Sequence, residues 1–154
     1  MIKIRNRRIV LYLATMALLL LGGRGTDIGR LRPVEGIKLY EKSGLLFLEV
    51  DTGDVGWGLT VDQAVRKLKE TAPGEIYLDT AGYLVLEEEL EECLPDLGEY
   101  LKRRTRVVYG PEDVDLGELV VYLKAHRPSG IIGDGRNAVE RVSLEGGKIT
   151  LKKV

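Results

Sequence analysis

One cysteine, Cys93, and one histidine, His126, are all that 154 residues contain of either. A structural zinc site takes four ligands, several of them Cys or His, so that pair cannot build one, and no metal centre is expected. An internal disulfide is excluded as well, and stability must come from packing. No cofactor motif is present. The Gly-rich stretch Gly53–Gly58 matches neither the phosphate-binding loop nor the dinucleotide fingerprint, and Asp51 and Asp54 beside it would repel an anion. No basic stripe with interleaved aromatics occurs, so nucleic acid is not an expected partner. Repeats and low-complexity segments are also missing.

Charge is nearly balanced, at -1 overall, but unevenly placed. Lys3, Arg5, Arg7 and Arg8 stand together at the start with no acid among them. Without these cations the rest of the chain is mildly acidic. An uncharged apolar run, residues 9 to 23, follows them. As a helix it measures about 22 Å, short of the roughly 30 Å hydrocarbon core. Flanking Arg7, Arg8 and Arg24 can snorkel and let so short a helix span. The run lacks an A-x-A-like cleavage site, and no cysteine follows it to take a lipid. The expectation is an uncleaved signal anchor with a basic cytoplasmic head, residues 1–26. A domain outside the cytoplasm, residues 27–154, would follow.

The body is punctuated into short elements. Val34–Tyr40 and Leu45–Asp51 alternate like strands around a Ser43-Gly44 turn. Thr60 and Gln63 form a capping box, and Val61, Ala64, Val65 and Leu68 then recur at helical spacing until Pro73 and Gly74. Strand-like Ile76–Leu78 and Tyr83–Leu86 precede a helical stretch over residues 87–103, where Pro95 predicts a break near Cys93. A strand through Arg106–Tyr109, a helix begun by Asp115 and a C-terminal hairpin turning at Gly146-Gly147 complete the pattern. The expected fold is α/β: a small sandwich with a mixed sheet, in the order β-β-α-β-α-β-α-β-β, with right-handed crossovers.

Asp51-Thr52-Gly53, with Ile131–Gly133 and Arg136-Asn137 further on, echoes the aspartic proteases. Those enzymes hold two carboxylates close enough to share a proton within an all-β frame. Three helical patterns between the two motifs exclude that frame, so the triplet reads as a tight turn. The acidic run Glu87–Glu92 reads as a solvated face. The residues expected to form a partner surface are Trp57, Asp79, Thr80 and Tyr83. Trp57 stands between glycines and is a favoured type of interface anchor. The alternative is a small ligand-binding or hydrolytic domain using Asp51, Asp54 and Asp79.

The stretch from Gly58 to Tyr109 resembles the N-terminal domain of the Ger(x)C-type spore germination proteins. Gly58, Thr60, Ala64, Leu68, the strand through Tyr77, Leu90 and the final Arg106–Tyr109 strand carry the likeness. It covers roughly a third of the chain. The family's lipidated cysteine has no counterpart here, and its members are much longer. The resemblance implies a non-enzymatic, membrane-anchored envelope protein with a protein partner, linked to sporulation or germination.

Overall fold

A computed structural model describes residues 15–16, 31–134 and 140–154. The chain divides into two units, residues 1–31 and 32–154. In the first, Thr15 and Met16 are helical. The rest of the expected signal anchor lies outside the described residues. Among the described residues, no helix is long and apolar enough to cross a membrane.

The second unit is α/β with a mixed sheet. After β1 (Leu31–Pro33) comes an antiparallel meander of β2 (Gly36–Lys42), β3 (Leu45–Val50) and β4 (Val55–Gly58). Ser43 and Gly44 join β2 to β3 with positive φ of 54° and 77°. Two successive left-handed residues match the twist of a two-residue hairpin. Gly53, at φ 89°, turns β3 into β4, and its amide donates to the Val50 carbonyl. The Asp-Thr-Gly triplet is thus a tight turn. The following Gly-Trp-Gly stretch, which the expected order places in no strand, is an edge strand.

Its glycines have a packing reason. Helix α1 (Val61–Thr71) lies directly over β4. A Cβ on Gly56 would stand 2.1 Å from the Ala64 carbonyl oxygen, and one on Gly58 2.4 Å from the Gln63 Cβ. The α1 cap forms from Thr60, whose Oγ1 accepts from the Gln63 amide. The Gln63 side chain accepts from the Leu59 amide rather than from that of Thr60. Val61, Ala64, Val65 and Leu68 form the buried stripe.

Beyond Pro73, β5 (Glu75–Tyr77) forms a separate two-stranded ribbon with β1. A 3-10 turn, Leu78–Thr80, leads to β6 (Tyr83–Leu86), which lies parallel to β2. The single helix expected over residues 87–103 is not formed. A 3-10 segment, Glu88–Cys93, gives way to the short α2, Leu94–Gly98. Proline fits only the first turn of an α-helix, and Pro95 sits in the first turn of α2, which places the break at Cys93.

Strand β7 (Arg106–Tyr109) is parallel to β6. Helix α3 (Leu116–His126) is capped by Asp115, whose Oδ1 accepts from the Glu118 amide at 2.8 Å, and ends at left-handed Arg127. The β8 (Glu140–Glu145) and β9 (Lys148–Lys153) hairpin turns at Gly146-Gly147, both at positive φ. The sheet order is β4-β3-β2-β6-β7-β8-β9. Beyond the expected order, the chain adds β1, β4 and β5 as a separate strand.

Register sorts the core into two layers. Ile37, Leu84 and Val107 share one sheet face with Leu39, Leu86 and Tyr109, under α1 and α2. Val85, Val108 and Val142 share the other with Leu116, Leu119, Val120 and Leu123 of α3. The crossovers through α1, through α2 and through α3 all advance from β4 towards β8, yet α3 lies on the opposite face. Hand follows from direction and face together, so the α3 crossover has the opposite hand to the other two. Uniformly right-handed crossovers therefore do not hold here.

Candidate functional site

Among the described residues the helical layers are offset, and each leaves part of the sheet uncovered. On the α1 side, cover stops short of β8 and β9, where Arg141, Ser143, Thr150 and Lys152 face outward. Ser143 and Thr150 bond across the strands at 2.9 Å. Hydroxyls and charges are what a solvated sheet face should carry. On the α3 side, cover ends where Gly36 of β2 meets Val120; a Cβ there would lie 2.2 Å from the Val120 Cγ2. The remaining half of that face is aromatic. Tyr40 and Phe47 stack with ring centroids 5.4 Å apart and planes 8° from parallel. Trp57 stands opposite Phe47 in register and is 41% exposed. The Lys67 ammonium reaches past the edge strand to 5.2 Å from the Trp57 ring centroid, within the range of a cation–π contact.

Lys38 borders this face and is only 5% exposed. Its ammonium donates to the carbonyls of Glu112 at 2.9 Å and Val114 at 2.8 Å, and it pairs with Glu49 at 3.2 Å. All three protons are used, as burial requires. Lys38 thereby ties the β7–α3 loop to the sheet, and Lys42 bonds the Glu112 carboxylate at 2.9 Å beside it. Burial, then Glu49 and Glu112, push the Tyr40 hydroxyl above its ordinary range.

The other expected residues lie where the parallel strands begin. Asp51 Oδ1 accepts from the Glu35 amide at 3.1 Å. Asp54 accepts from Arg32 at 2.9 Å and from the Thr52 hydroxyl at 2.7 Å. Thr80 Oγ1 accepts from the Val34 amide at 2.9 Å. The segment 32–35 is thus pinned to two turns by side-chain oxygens. Asp79 is exposed and lines a pocket of about 240 Å³ with Lys69, Glu75 and Tyr77, which contains neither Asp51 nor Asp54. Tyr83 is half-buried against the α3 cluster. The structure therefore places Trp57 on the aromatic face and Asp79 and Thr80 on a separate turn. Among the described residues, no three Asp, Glu, His or Cys side chains are placed to hold a metal ion.

A second feature lies at the opposite end of the sheet. The chain leaves β6 for the α2 face and leaves β7 for the α3 face, so the loops after these strands diverge. Between them opens a cleft of about 490 Å³. Crevices of this kind, beyond the carboxyl ends of parallel strands where the connections change sides, are where open α/β sheets bind ligands. Glu87, Glu88, Tyr109, Pro111, Arg141 and Ser143 are among its walls. Arg141 forms an ion pair with Glu88. Burial first, then Glu91 and Glu88, raise the Tyr109 hydroxyl, with Arg141 opposing. Cys93 lies outside this cleft; burial first, then Glu92 and Asp96, keep its thiol protonated beyond the usual range.

Tyr40, Phe47, Lys38 and Arg141 were not singled out from sequence. The signal for the first two was present: the Ser43-Gly44 turn sets Lys42 opposite Leu45, and hence Tyr40 opposite Phe47. No family model matches the chain, and no curated protein or solved structure is significantly similar to it.

Proposed function

We propose that this chain is a membrane-anchored scaffold whose folded domain docks a protein partner outside the cytoplasm. The observation that carries the reading is the contrast between the two bare sheet faces. One is polar, while the other carries a three-strand aromatic stripe, half-buried Tyr40 and Phe47 and exposed Trp57, with half-buried Leu45 and Val55 beside it and Lys42 and Glu49 at its border. Aromatic clusters of this kind are the usual anchors of interfaces. Three adjacent strands span two strand spacings, about 10 Å, which is the diameter of one α-helix. Helix α3 already walls one side. The partner element that fits is a single amphipathic helix laid over β2, β3 and β4. A second copy pairing along β4 fits poorly. Its α1 would lie one strand spacing, about 4.8 Å, from this α1, far closer than two helices pack. The basic head and apolar run of the first 26 residues supply the anchor and its orientation. The likeness to germination subunits supplies the setting, the envelope of a sporulating cell.

Two measurements test the reading. A photoreactive side chain at position 57 of the full chain in membranes is expected to give a discrete cross-linked adduct, whereas one at position 150, on the polar face, gives none. Trp57→Ala should leave melting nearly unchanged, because the ring is substantially exposed. It should weaken partner association roughly thirtyfold, the equivalent of an anchor worth about 2 kcal/mol. Equal cross-linking from both positions would remove the aromatic face from consideration. Separately, alkaline phosphatase fused after Val154 should be active, since it folds only outside the cytoplasm. An inactive fusion, with a cytoplasmic reporter active in its place, overturns the orientation and leaves the docking face untouched.

The alternative, a ligand-binding or hydrolytic domain using Asp51, Asp54 and Asp79, is supported less well. Asp51 and Asp54 each hold a backbone amide or an arginine in place.

A further inference from the structure

The amino ends of β2, β6 and β7 lie side by side, with Gly36 opposite Tyr83 and Tyr83 opposite Arg106. The chain enters the folded unit here, at Arg32. Just before β7 the turn Lys102-Arg103-Arg104 is forced outward, because the residues on either side of it are buried. Leu101 is 7% exposed, and Thr105, whose Oγ1 donates to the Ala81 carbonyl at 2.9 Å, is 0% exposed. All three cations of the turn are exposed. Half-buried Arg106 follows, and its guanidinium bonds the Pro128 carbonyl, next in the chain to exposed Arg127. The turn adjoins the entering segment. Lys102 donates to the Thr80 carbonyl at 3.2 Å, and Thr80 Oγ1 accepts from the Val34 amide at 2.9 Å.

We infer that this basic end docks on a membrane surface bearing anionic phospholipid headgroups. The inference rests on the reading of the first 26 residues as a membrane anchor, but not on which side of the membrane the domain lies. Among the described residues, none of Lys102, Arg103, Arg104, Arg106 and Arg127 forms an ion pair, although Asp51, Glu75, Asp79 and Asp134 stand at the same end. Two further acids there are already engaged, Glu35 by Lys124 and Asp54 by Arg32. At the opposite end the order is reversed. Glu88, Glu89, Asp113 and Asp115 are exposed, while the cations Lys42 and Arg141 are both paired, with Glu112 and Glu88. Uncompensated positive charge thus sits where the chain enters, and excess negative charge at the far end. An anionic surface attracts the first and repels the second, so both ends favour one orientation. Clusters of Lys and Arg beside a membrane attach to anionic lipid in this way. Guanidinium groups suit phosphate, which they meet with two parallel bonds. Screening limits the attraction to about 8 Å at physiological salt, so it acts only if this end faces the bilayer. It is the end from which the anchor segment continues.

The test uses the full chain in vesicles of phosphatidylcholine, and in vesicles that also contain phosphatidylglycerol. Both include a lipid with a nitroxide on its headgroup, which quenches a nearby fluorophore. Cys93→Ser removes the native thiol. The fluorophore is then attached through Ala125→Cys at the basic end or Ser43→Cys at the far end, both at exposed positions. Quenching at position 125 is expected to be roughly threefold or more stronger in the anionic vesicles, an attraction that several cations share. Raising salt to about 1 M, where the screening length is about 3 Å, should erase the difference. Position 43 should show none. Arg103→Glu with Arg104→Glu, both on the exposed turn, should erase it at low salt with little change in melting. Equal quenching at position 125 in the two vesicles, or none in either, overturns the inference, as does a difference that survives high salt or the double substitution. If quenching is absent and the double substitution instead removes the cross-link from position 57, the basic end belongs to the protein partner. An alkaline wash that strips the chain from both vesicles overturns the anchor separately, and the quenching contrast still decides the basic end.

Discussion

Gly56→Val is expected to separate α1 from the sheet and to lower the melting temperature of the full chain by 10 °C or more. The clash is with helix backbone, which cannot rotate out of the way as a side chain can. The first added carbon alone would lie 2.1 Å from the Ala64 carbonyl oxygen and 2.6 Å from both the Leu68 amide nitrogen and Cβ. Relief requires α1 to lift by more than an ångström. That opens the stripe of Val61, Ala64, Val65 and Leu68, each of which is at most 2% exposed. Overpacking of this kind costs about 1 to 3 kcal/mol when side chains can adjust, and more when they cannot. For a domain of this size each 1 kcal/mol moves the midpoint by roughly 3 to 5 °C. Gly53→Ala is the control. It carries the penalty of positive φ, about 1 to 2 kcal/mol, but the new methyl meets nothing within 4 Å. Thermal melts by circular dichroism decide the matter. If Gly56→Val melts no lower than Gly53→Ala, α1 does not seat on β4 as described.

Lys38→Ala is expected to destabilise the full chain by about 3 to 5 kcal/mol, the range for removing one partner of a buried ion pair. The two carbonyls and Glu49 lose their donor, and the β7–α3 loop loses its tie to β2. Lys38→Met restores the packing of the stem and should recover part of the loss, but it leaves the Glu112 and Val114 carbonyls unsatisfied. Pairing it with Glu49→Gln removes the stranded charge and should recover more. Because the ammonium is buried, added salt should change the effect little. Denaturant melts of the variants check the ordering. A loss below about 1 kcal/mol, typical of an exposed pair, would mean that Lys38 is solvated.

What local chemistry dictates was legible in the chain. Thr60 and Asp115 cap helices because a side-chain oxygen beside an apolar period can serve a free amide. Ser43-Gly44 and Gly146-Gly147 turn hairpins because both pairs adopt left-handed conformations. Pro95 breaks the second helical stretch because it fits only a helix start.

Pairing across the chain was not legible, and it decided the rest. Strand β4 looked like a loop, since glycine has no preference for strands. It became a strand because β3 offered an edge and α1 needed the room above Gly56 and Gly58. Residues 87–92 looked helical by leucine spacing, yet Glu88–Cys93 is a 3-10 segment, and the α-helix begins only at Leu94, with Pro95 in its first turn. Lys38 read as one polar residue in an alternating strand until the β7–α3 loop closed over it and took its ammonium. Tyr40, Phe47 and Trp57 lie 7 and 10 residues apart in sequence, and only the register of the meander lines them up. The cleft between the β6 and β7 loops exists because α2 and α3 pack on opposite faces. Sequence periodicity determines which side of an element is apolar; which face of the sheet that side covers, and so what remains bare, is settled only when the elements pack.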